Sequence, residues 1–374
     1  MKEIKNIIHA YDKINFATTR AALATVVRVE GSSYRRTGAR MLIMDDGRWV
    51  GGISGGCLEG DALRKAKHAI VQAKPTLITY DTTEDDAHQI GVGLGCNGII
   101  DVLITPLNFA DKNNPIEQLK NCIGMRENQI IVSVADKGKK VDVVEAGEVF
   151  KYENDEQFRQ LFPAKGIVDD VLADIEWTLG KERSKPRDYE VANGHLTLFI
   201  ELLVPEIHLA LYGGNYDIYP LVTLAKEVGW KVSVVANPTK VNKSLFSTAD
   251  HVISNKKPDV AIDDHTAIVL MSHDYATDLR NLKTLLKTDV PYIGLLGPRK
   301  RSEKMFTAMD EAGIDYQADL QQRIHAPIGL DIGAITPEEI AISIIAEVRA
   351  FFAGRSGGFL RKRKGTIHIR EIEV

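Results

Sequence analysis

The chain has 374 residues, a length that favours two domains, each large enough to bury a core of its own. Hydrophobic residues make up 44% and charged residues 26%, and no apolar run is long enough for a membrane helix, so we expect a soluble protein without a membrane partner. The net charge of −4 arises from 47 basic and 51 acidic residues that are intermixed, which argues against nucleic acid as a partner.

The amino terminus and the cysteines indicate a cytoplasmic protein. A charged, mixed helix stands where a secretory signal would have a long apolar run, and three cysteines are typical of reduced cytosolic thiols. Three cysteines are too few for the four ligands of an iron–sulfur cluster. Cys57 and Cys96 are also too far apart for the paired spacing of a structural zinc site.

The first half of the chain has two glycine-rich loops that each contain a cysteine. A polar loop with Arg35 and Arg36 comes before both, and Arg40 begins the strand after it. Each arginine cluster of this chain is small enough for one anionic ligand, although solvated surface charge is the alternative. The elements predicted here are strands at 21–29, 40–44, 76–81 and 98–105 and a helix at 61–73.

A new pattern begins at Ile207, where a strand, a Gly213-Gly214 turn, a helix and a second strand form a βαβ unit. The β-branched runs at 129–134, 140–144 and 196–204 are interpreted as the rest of the first domain, and Cys122 is placed in a helix. Further predicted elements are strands at 231–235, 267–271 and 292–296 and helices at 278–287, 301–312 and 337–352. We predict a mixed α/β domain over 1–205, a Rossmann-like doubly wound parallel sheet over 206–353, and a tail over 354–374.

The loop around Cys57 is the first candidate site. Gly55 and Gly56 allow a close backbone approach whose amides bind oxyanions, and the helix that follows adds positive potential. That potential favours the thiolate of Cys57, which is a nucleophile or a soft-metal ligand. The alternatives are a small buried core cysteine, and a helix-capping role for Glu59.

The Gly213-Gly214 turn is the second candidate. It has the position of a dinucleotide fingerprint, but Asn215 and Ile218 occupy the later glycine positions. The next strand ends in Ala236-Asn237-Pro238, where an acid usually binds the ribose hydroxyls. A structural βα turn is therefore favoured over a working NAD(P) site.

The third candidate comprises residues that follow later strands, at the edge where open α/β sheets bind ligands. His273 beside Asp274 has the composition of an oriented acid or base, whereas a lone histidine is more often structural. The remaining members of this group are Gly297, Arg299 and His325.

Several segments together resemble the XdhC/CoxI family over nearly the whole chain, most weakly from 108 to 195. The matching segments are Gly-Ser-Ser-Tyr-Arg-Arg-Thr-Gly-Ala-Arg-Met at 31–41, Ile-Ser-Gly-Gly-Cys-Leu-Glu-Gly at 53–60, Gly-Leu-Gly-Cys-Asn-Gly at 93–98, Met-Ser-His-Asp at 271–274, Gly-Leu-Leu-Gly-Pro-Arg-Lys-Arg at 294–301, and the run from Arg323 to Ala341. The chain departs from the family pattern at 213–216 and 236–238, which weakens any nucleotide role carried over to those positions.

The resemblance implies an accessory protein of xanthine dehydrogenase or a related molybdenum hydroxylase. Such proteins bind molybdenum cofactor (molybdopterin), hold it during sulfuration by a cysteine desulfurase, and deliver it to the hydroxylase; a homodimer is expected by the same analogy. We place Cys57 at the metal end of the cofactor and Arg35, Arg36 and Arg40 at its phosphate end. Two alternatives stay open: an NAD(P)-dependent oxidoreductase, and an interaction scaffold without catalysis.

Overall fold

A computed structural model describes residues 1–82, 98–192, 194–364 and 367, and divides the chain into two compact units, Met1–Pro205 and Glu206–Val374. The first unit is built on antiparallel sheets and the second on a parallel one. No helix of the described residues is long and apolar enough to cross a membrane.

The first unit contains two antiparallel sheets. The five-stranded sheet has the order β3-β2-β1-β5-β4, and the four-stranded sheet has the order β7-β6-β9-β8. Their strands are β1 (Ala21–Gly31), β2 (Arg40–Met44), β3 (Trp49–Gly51), β4 (Thr76–Asp81), β5 (Gly98–Pro106), β6 (Gln129–Lys137), β7 (Val149–Tyr152), β8 (Lys185–Val191) and β9 (Gly194–Leu203).

Helices cover the outer faces of these two sheets. The helices of the unit are α1 (Lys2–Tyr11), α2 (Glu59–Gln72), α3 (Pro115–Lys120), α4 (Asp155–Leu161) and α5 (Val168–Lys181). Alternate residues of β1, such as Ala24, pack on α2, while Val27 packs on Phe199 of the other sheet. The far face of the four-stranded sheet packs on α4 and α5. The unit is therefore layered as helix, sheet, sheet, helix.

The second unit is a parallel sheet of six strands in the order β12-β11-β10-β13-β14-β15. Its strands are β10 (His208–Tyr212), β11 (Lys231–Ala236), β12 (His251–Ser254), β13 (Thr266–Leu270), β14 (Tyr292–Leu295) and β15 (Ile324–His325). Numbered within the unit, the order is 3-2-1-4-5-6, which is that of a Rossmann fold. The predicted α/β class with a doubly wound carboxyl-terminal sheet is confirmed, and the strand order reverses between β10 and β13.

Helices lie on both faces of this sheet. They are α6 (Ile218–Glu227), α7 (Leu245–Thr248), α8 (Tyr275–Leu285), α9 (Arg299–Asp310), α10 (Gln317–Gln322) and α11 (Pro337–Phe352). One core joins α6 and α11 to the sheet, and a second core joins α8 and α9 to its other face. Thr336 and Glu339 form a capping box at the start of α11, with Pro337 in its first turn, as the sequence predicts.

One β-branched run of the first unit is not a strand, and the helix predicted around Cys122 is wrong. Residues 140–144 form a loop between β6 and β7, although Val141 and Val144 are buried in the core. These two β-branched side chains contribute to the hydrophobic core although their backbone pairs with no strand in the described part of the chain. Cys122 lies in a turn after α3, because the helix ends at Lys120.

Candidate functional site

The hydroxyl of Ser54 holds the glycine-rich loop before α2 in shape. It donates to the Glu59 carboxylate and accepts from the amides of Gly56 at 3.2 Å and Leu58 at 3.1 Å. It also accepts from the Cys57 thiol, with Sγ and Oγ 3.4 Å apart. The thiol therefore has a defined position at the start of α2.

The Glu59 carboxylate binds amides that the sequence assigns to an external oxyanion. Its Oε1 accepts from the amides of Ile53 at 3.2 Å and Ser54 at 2.8 Å. Burial alone would raise the pKa of Glu59, but the hydrogen bonds from Ser54 and Ile53 outweigh it and hold the pKa below its ordinary value. The ionised Glu59 is thus an anchor of the loop, and these two amides are used within the chain.

The Cys57 loop lies beside the polar loop that joins β1 and β2. A Cβ at Gly55 would be 3.3 Å from the Tyr34 ring, which is 74% exposed. Gly56 has a φ of +115°, which favours glycine, and nothing lies within 4 Å of a Cβ built there. Cys57 is a free, half-buried thiol that packs at the edge of the core between the sheet and α2. The structure therefore brings two of the sequence motifs together around this thiol.

Two of the three predicted phosphate-binding arginines are paired with carboxylates of the chain itself. Arg40 and Glu201 are each 4% exposed, and the guanidinium donates to both carboxylate oxygens, with Nη1 and Oε1 2.9 Å apart. Arg35 pairs with Glu3, whose Oε1 also accepts from the Arg40 amide at 3.2 Å. We therefore assign Arg40 to the core between the two sheets instead of to a ligand. Arg36 is half-buried and stays a candidate.

The other two cysteines differ from Cys57. Cys122 is 1% exposed, and burial raises the pKa of its thiol to about 11. Cys96, the predicted member of the second loop, lies outside the described residues. Among the residues that are described, no group of three or more His, Cys, Asp or Glu side chains is arranged to hold a metal ion.

The second unit has a cleft of about 440 Å³ at the carboxyl ends of β10, β11 and β13. This is the point where the strand order reverses, and it is where open α/β sheets bind ligands. Gly213, Gly214 and Asp274 of the predicted site line it. The rest of its lining is Tyr212, Asn215, Val235, Ala236, Asn237, Lys240, Val241, Asn255, Pro258, Ser272, Thr277 and Asn281.

The two glycines of the βα turn have a packing role. A Cβ at Gly213 would overlap the carbonyl group of Met271, and one at Gly214 would lie 3.0 Å from the Cβ of Ala236. The turn and the end of β13 approach so closely that only glycine fits at position 213. This close packing supports the structural interpretation of the turn and also shapes the floor of the cleft.

Two side-chain contacts join the loop after β10 to the loop after β13. The Asn215 amide donates to the Ser272 carbonyl at 3.3 Å, and His273 Nε2 lies 2.7 Å from Asp217 Oδ2. His273 has a φ of +61° and is half exposed, whereas the Asp217 side chain is only 12% exposed. His273 is therefore held beside the start of α6 and does not line the cleft.

The remaining predicted residues separate from one another. Asp274 caps α8, since its Oδ1 accepts from the Thr277 amide at 2.7 Å, and this hydrogen bond lowers its pKa. Gly297 and Arg299 precede and begin α9, where Arg299 is exposed and outside the cleft lining. Its neighbour Arg301 points inward, 2.9 Å from the fully buried carboxylate of Asp278.

His325 belongs to a buried network on α11. Its Nδ1 lies 3.0 Å from Glu347 Oε1, and its ring stacks on Tyr292 with centroids 4.1 Å apart. Glu347 Oε2 also accepts from the Tyr292 hydroxyl at 3.0 Å and from the Gly329 amide. Burial opposes ionisation of Glu347, but these hydrogen bonds hold its pKa below the ordinary value. We assign His325 to this structural network.

Comparison with known proteins identifies the family. Residues 17–81 match the model described as XdhC and CoxI family, and residues 209–348 match the XdhC Rossmann domain. A Bacillus subtilis (strain 168) protein, named as a probable xanthine dehydrogenase subunit, is 32% identical over 88% of this chain and 92% of its own length. The chain belongs to the XdhC and CoxI family.

Other similar proteins agree with this membership. The "Molybdenum cofactor insertion chaperone PaoD" of Escherichia coli (strain K12) is 23% identical over 88% of this chain and 82% of its own length. A crystal structure of a protein named xanthine dehydrogenase, from Bacillus halodurans, has a TM-score of 0.69 and 27% identity, covering 94% of this chain and 97% of that one. The likeness in fold thus extends beyond the two regions matched by family models.

Sequence reasoning missed three residues that shape these sites. In the sequence, Ser54 is one more member of a glycine-rich loop, although a hydroxyl before a helix with an acid shortly after it is a capping signal. Lys240 and Asn255 line the cleft of this family's Rossmann domain from loops that follow β11 and β12. Neither lies in a motif, so only the fold places them beside Gly213.

Proposed function

We propose that this protein is an accessory protein that binds molybdenum cofactor and supports its insertion into xanthine dehydrogenase or a related molybdenum hydroxylase. Family membership supports the proposal, together with the name of the relative PaoD. The observation that carries it is the half-buried Cys57 thiol, which is positioned by Ser54 in a loop whose Gly55 lies against the exposed Tyr34 ring.

The residues present fit one end of this cargo better than the other. Molybdenum cofactor combines a pterin, a metal-binding dithiolene and a phosphate, and a cysteine sulfur such as that of Cys57 is a ligand type that suits a soft metal. The phosphate end lacks the predicted partners, since Arg40 is buried with Glu201 and Arg35 is paired with Glu3. We keep Arg36 and the amides near Gly56 as proposed partners of the phosphate.

The surroundings of Cys57 support a role in holding the cargo. Its thiol donates to Ser54, whose own proton is directed to Glu59, so the sulfur has a fixed orientation before any cargo arrives. No set of three protein ligands surrounds it among the described residues, so the dithiolene of the cargo would supply further ligands to the metal. We propose that Cys57 holds the metal end of the cofactor while a cysteine desulfurase acts on it.

The decisive experiment measures molybdenum and pterin per chain after expression in a host that makes the cofactor and anaerobic purification. Near-stoichiometric pterin is expected in the wild type and its loss in Cys57→Ala. Cys122→Ala is the matched control, because that thiol is buried away from the loop surface. Pterin in neither protein would overturn cofactor binding, and full retention in Cys57→Ala would remove the thiol from the site.

The finer partner claims have separate tests. Transfer of cofactor to an apo-hydroxylase, with activity dependent on a cysteine desulfurase, would support delivery of the sulfurated form. Partner capture that survives Cys57→Ala and Arg36→Ala without any transfer would favour the scaffold alternative. Light scattering of the purified chain tests the expected homodimer, and steady turnover of purines by the chain alone would favour an enzyme.

A further inference from the structure

The cleft at the switch point of the second unit carries a lysine close to the position at which dinucleotide-binding folds usually carry an acid. The strand β11 ends at Ala236, Asn237 follows it in place of an acid, and Lys240 lies further along the same loop at the border of the cleft. An acid at this place binds the two hydroxyls of an unmodified ribose, whereas a basic residue accommodates a phosphate on that ribose. The positive charge of Lys240 therefore favours a ribose that carries a phosphate.

We propose that this cleft binds a nucleotide that carries a phosphomonoester on its ribose, with Lys240 as the partner of that phosphate. Lys240 is exposed, and no carboxylate of the described residues forms an ion pair with its ammonium group. Within the part of the chain that the structure describes, no other lysine or arginine lines the cleft. A phosphate placed there would gain a charge-assisted hydrogen bond that a free ribose hydroxyl cannot provide.

The carboxylate that lines the cleft does not substitute for the missing acid. Asp274 comes from the loop after β13, and its Oδ1 is engaged with the Thr277 amide at 2.7 Å. The strand β11 pairs with β10, and β13 lies on the other side of β10. The ribose-binding position beside β11 therefore faces Lys240 and Asn237.

The walls of the cleft suit the rest of a nucleoside. Val241 and Pro258 supply apolar surface for a base, while Asn255 and Asn281 supply amide donors and acceptors for its edge. Gly214 allows the turn to approach the end of β11 closely, since a Cβ there would crowd Ala236 and Val241. The volume of about 440 Å³ lies within the range of small-molecule sites.

The pyrophosphate position is less open than the ribose position. Asn215 occupies the place of the glycine that normally lets the backbone reach the pyrophosphate, and its side chain binds the Ser272 carbonyl. The His273 and Asp217 contact joins the same two loops. Recognition is therefore concentrated at the ribose phosphate, and a short ligand with that group should bind about as well as a complete dinucleotide.

The test is calorimetric titration of the full chain with NADP⁺, NAD⁺, coenzyme A, adenosine 2′,5′-bisphosphate, adenosine 3′,5′-bisphosphate and inorganic phosphate. NADP⁺ and the 2′,5′-bisphosphate are expected to bind at least about tenfold more tightly than NAD⁺. If coenzyme A and the 3′,5′-bisphosphate bind more tightly instead, the site still recognises a phosphomonoester on ribose. The phosphate would then be on the 3′ oxygen and not on the 2′ oxygen. Equal binding of NAD⁺ and NADP⁺, or no nucleotide binding at millimolar concentration, would overturn the proposal.

Variants locate the phosphate. Lys240→Ala is expected to weaken binding of NADP⁺ by about tenfold or more while leaving that of NAD⁺ unchanged. Lys243→Ala is the control, because that lysine is exposed nearby and does not line the cleft. Equal effects of the two variants would show that general positive charge, and not this site, attracts the ligand. The titration uses protein free of molybdenum cofactor, so a lack of nucleotide binding would not contradict the pterin measurement. A lack of pterin would likewise not contradict nucleotide binding.

Discussion

At the scale of single residues, the buried pair of Arg40 and Glu201 shows how a binding motif is used for structure. The two residues are 161 positions apart and 4% exposed, and they join the two sheets of the first unit. Arg40 stands in a segment that resembles a binding loop, so its sequence context favours a ligand. Its partner on β9 becomes apparent only when the sheets pack together.

Removing one member of this pair should destabilise the protein more than removing both. Arg40→Met leaves the Glu201 carboxylate buried without its partner and should cost about 3–5 kcal/mol, whereas Arg40→Met with Glu201→Leu should recover most of that loss. Urea unfolding measures both variants. If Arg40→Met abolished pterin retention at unchanged stability, Arg40 would return to the cofactor site.

At the scale of an element, the loop before α2 is kept in place by hydrogen bonds from its own backbone to Glu59 and Ser54. Glycines give this loop its positive φ at Gly56, but they do not by themselves hold any conformation. Glu59 supplies the fixed negative charge that the amides of Ile53 and Ser54 require. The loop is therefore preorganised around Cys57 without a bound anion.

The stability contributed by Glu59 should depend on pH. Its pKa is lower in the folded protein, so its contribution is fully present above the unfolded pKa of about 4.3 and is lost as pH falls through the folded value. Glu59→Gln should cost about 1–2 kcal/mol near neutral pH and approach the wild type in acid. Denaturant unfolding at several pH values measures this difference, with the exposed first-turn variant Glu156→Gln as the control. A cost that did not change with pH would contradict the role of the charge.

Helices and strands were predicted correctly where the spacing of hydrophobic residues agreed with the residues that typically begin or end such an element. Helix α11 has Thr336 and Pro337 at its start, and the central strands β10 and β13 of the second unit are short apolar runs buried on both faces. The β-branched run at 140–144 is a loop whose Val141 and Val144 are buried, which gives it the same composition as a strand. Short polar strands such as β8 had no such signal.

At the scale of the whole molecule, the chain contains two units whose hydrophobic cores have different architectures. The first core lies between antiparallel sheets and their helices, and the second covers both faces of a parallel sheet. Each unit also carries its own candidate site, Cys57 in one and the switch-point cleft in the other. The proposed cargo and the proposed nucleotide can therefore be tested separately.

Core truncations should separate the two units in hydrogen exchange. Leu198→Ala and Leu211→Ala each remove a fully buried side chain, at a cost of about 2–5 kcal/mol, from the first and second unit respectively. Exchange monitored by mass spectrometry should show faster exchange mainly in residues 1–205 for the first variant and mainly beyond 205 for the second. The same increase throughout the chain for both variants would indicate one cooperative unit.

The amino-acid sequence by itself determined the family, the Rossmann-like carboxyl-terminal sheet and the loop with the half-buried cysteine, because these depend on local period, glycine turns and contiguous motifs. The tertiary structure decided which polar groups are available to a ligand. Arg40, Arg35 and His325 are paired with Glu201, Glu3 and Glu347, partners that are distant in sequence. Lys240 reaches the switch-point cleft for the same reason, since strand order brings separate loops to one edge of the sheet.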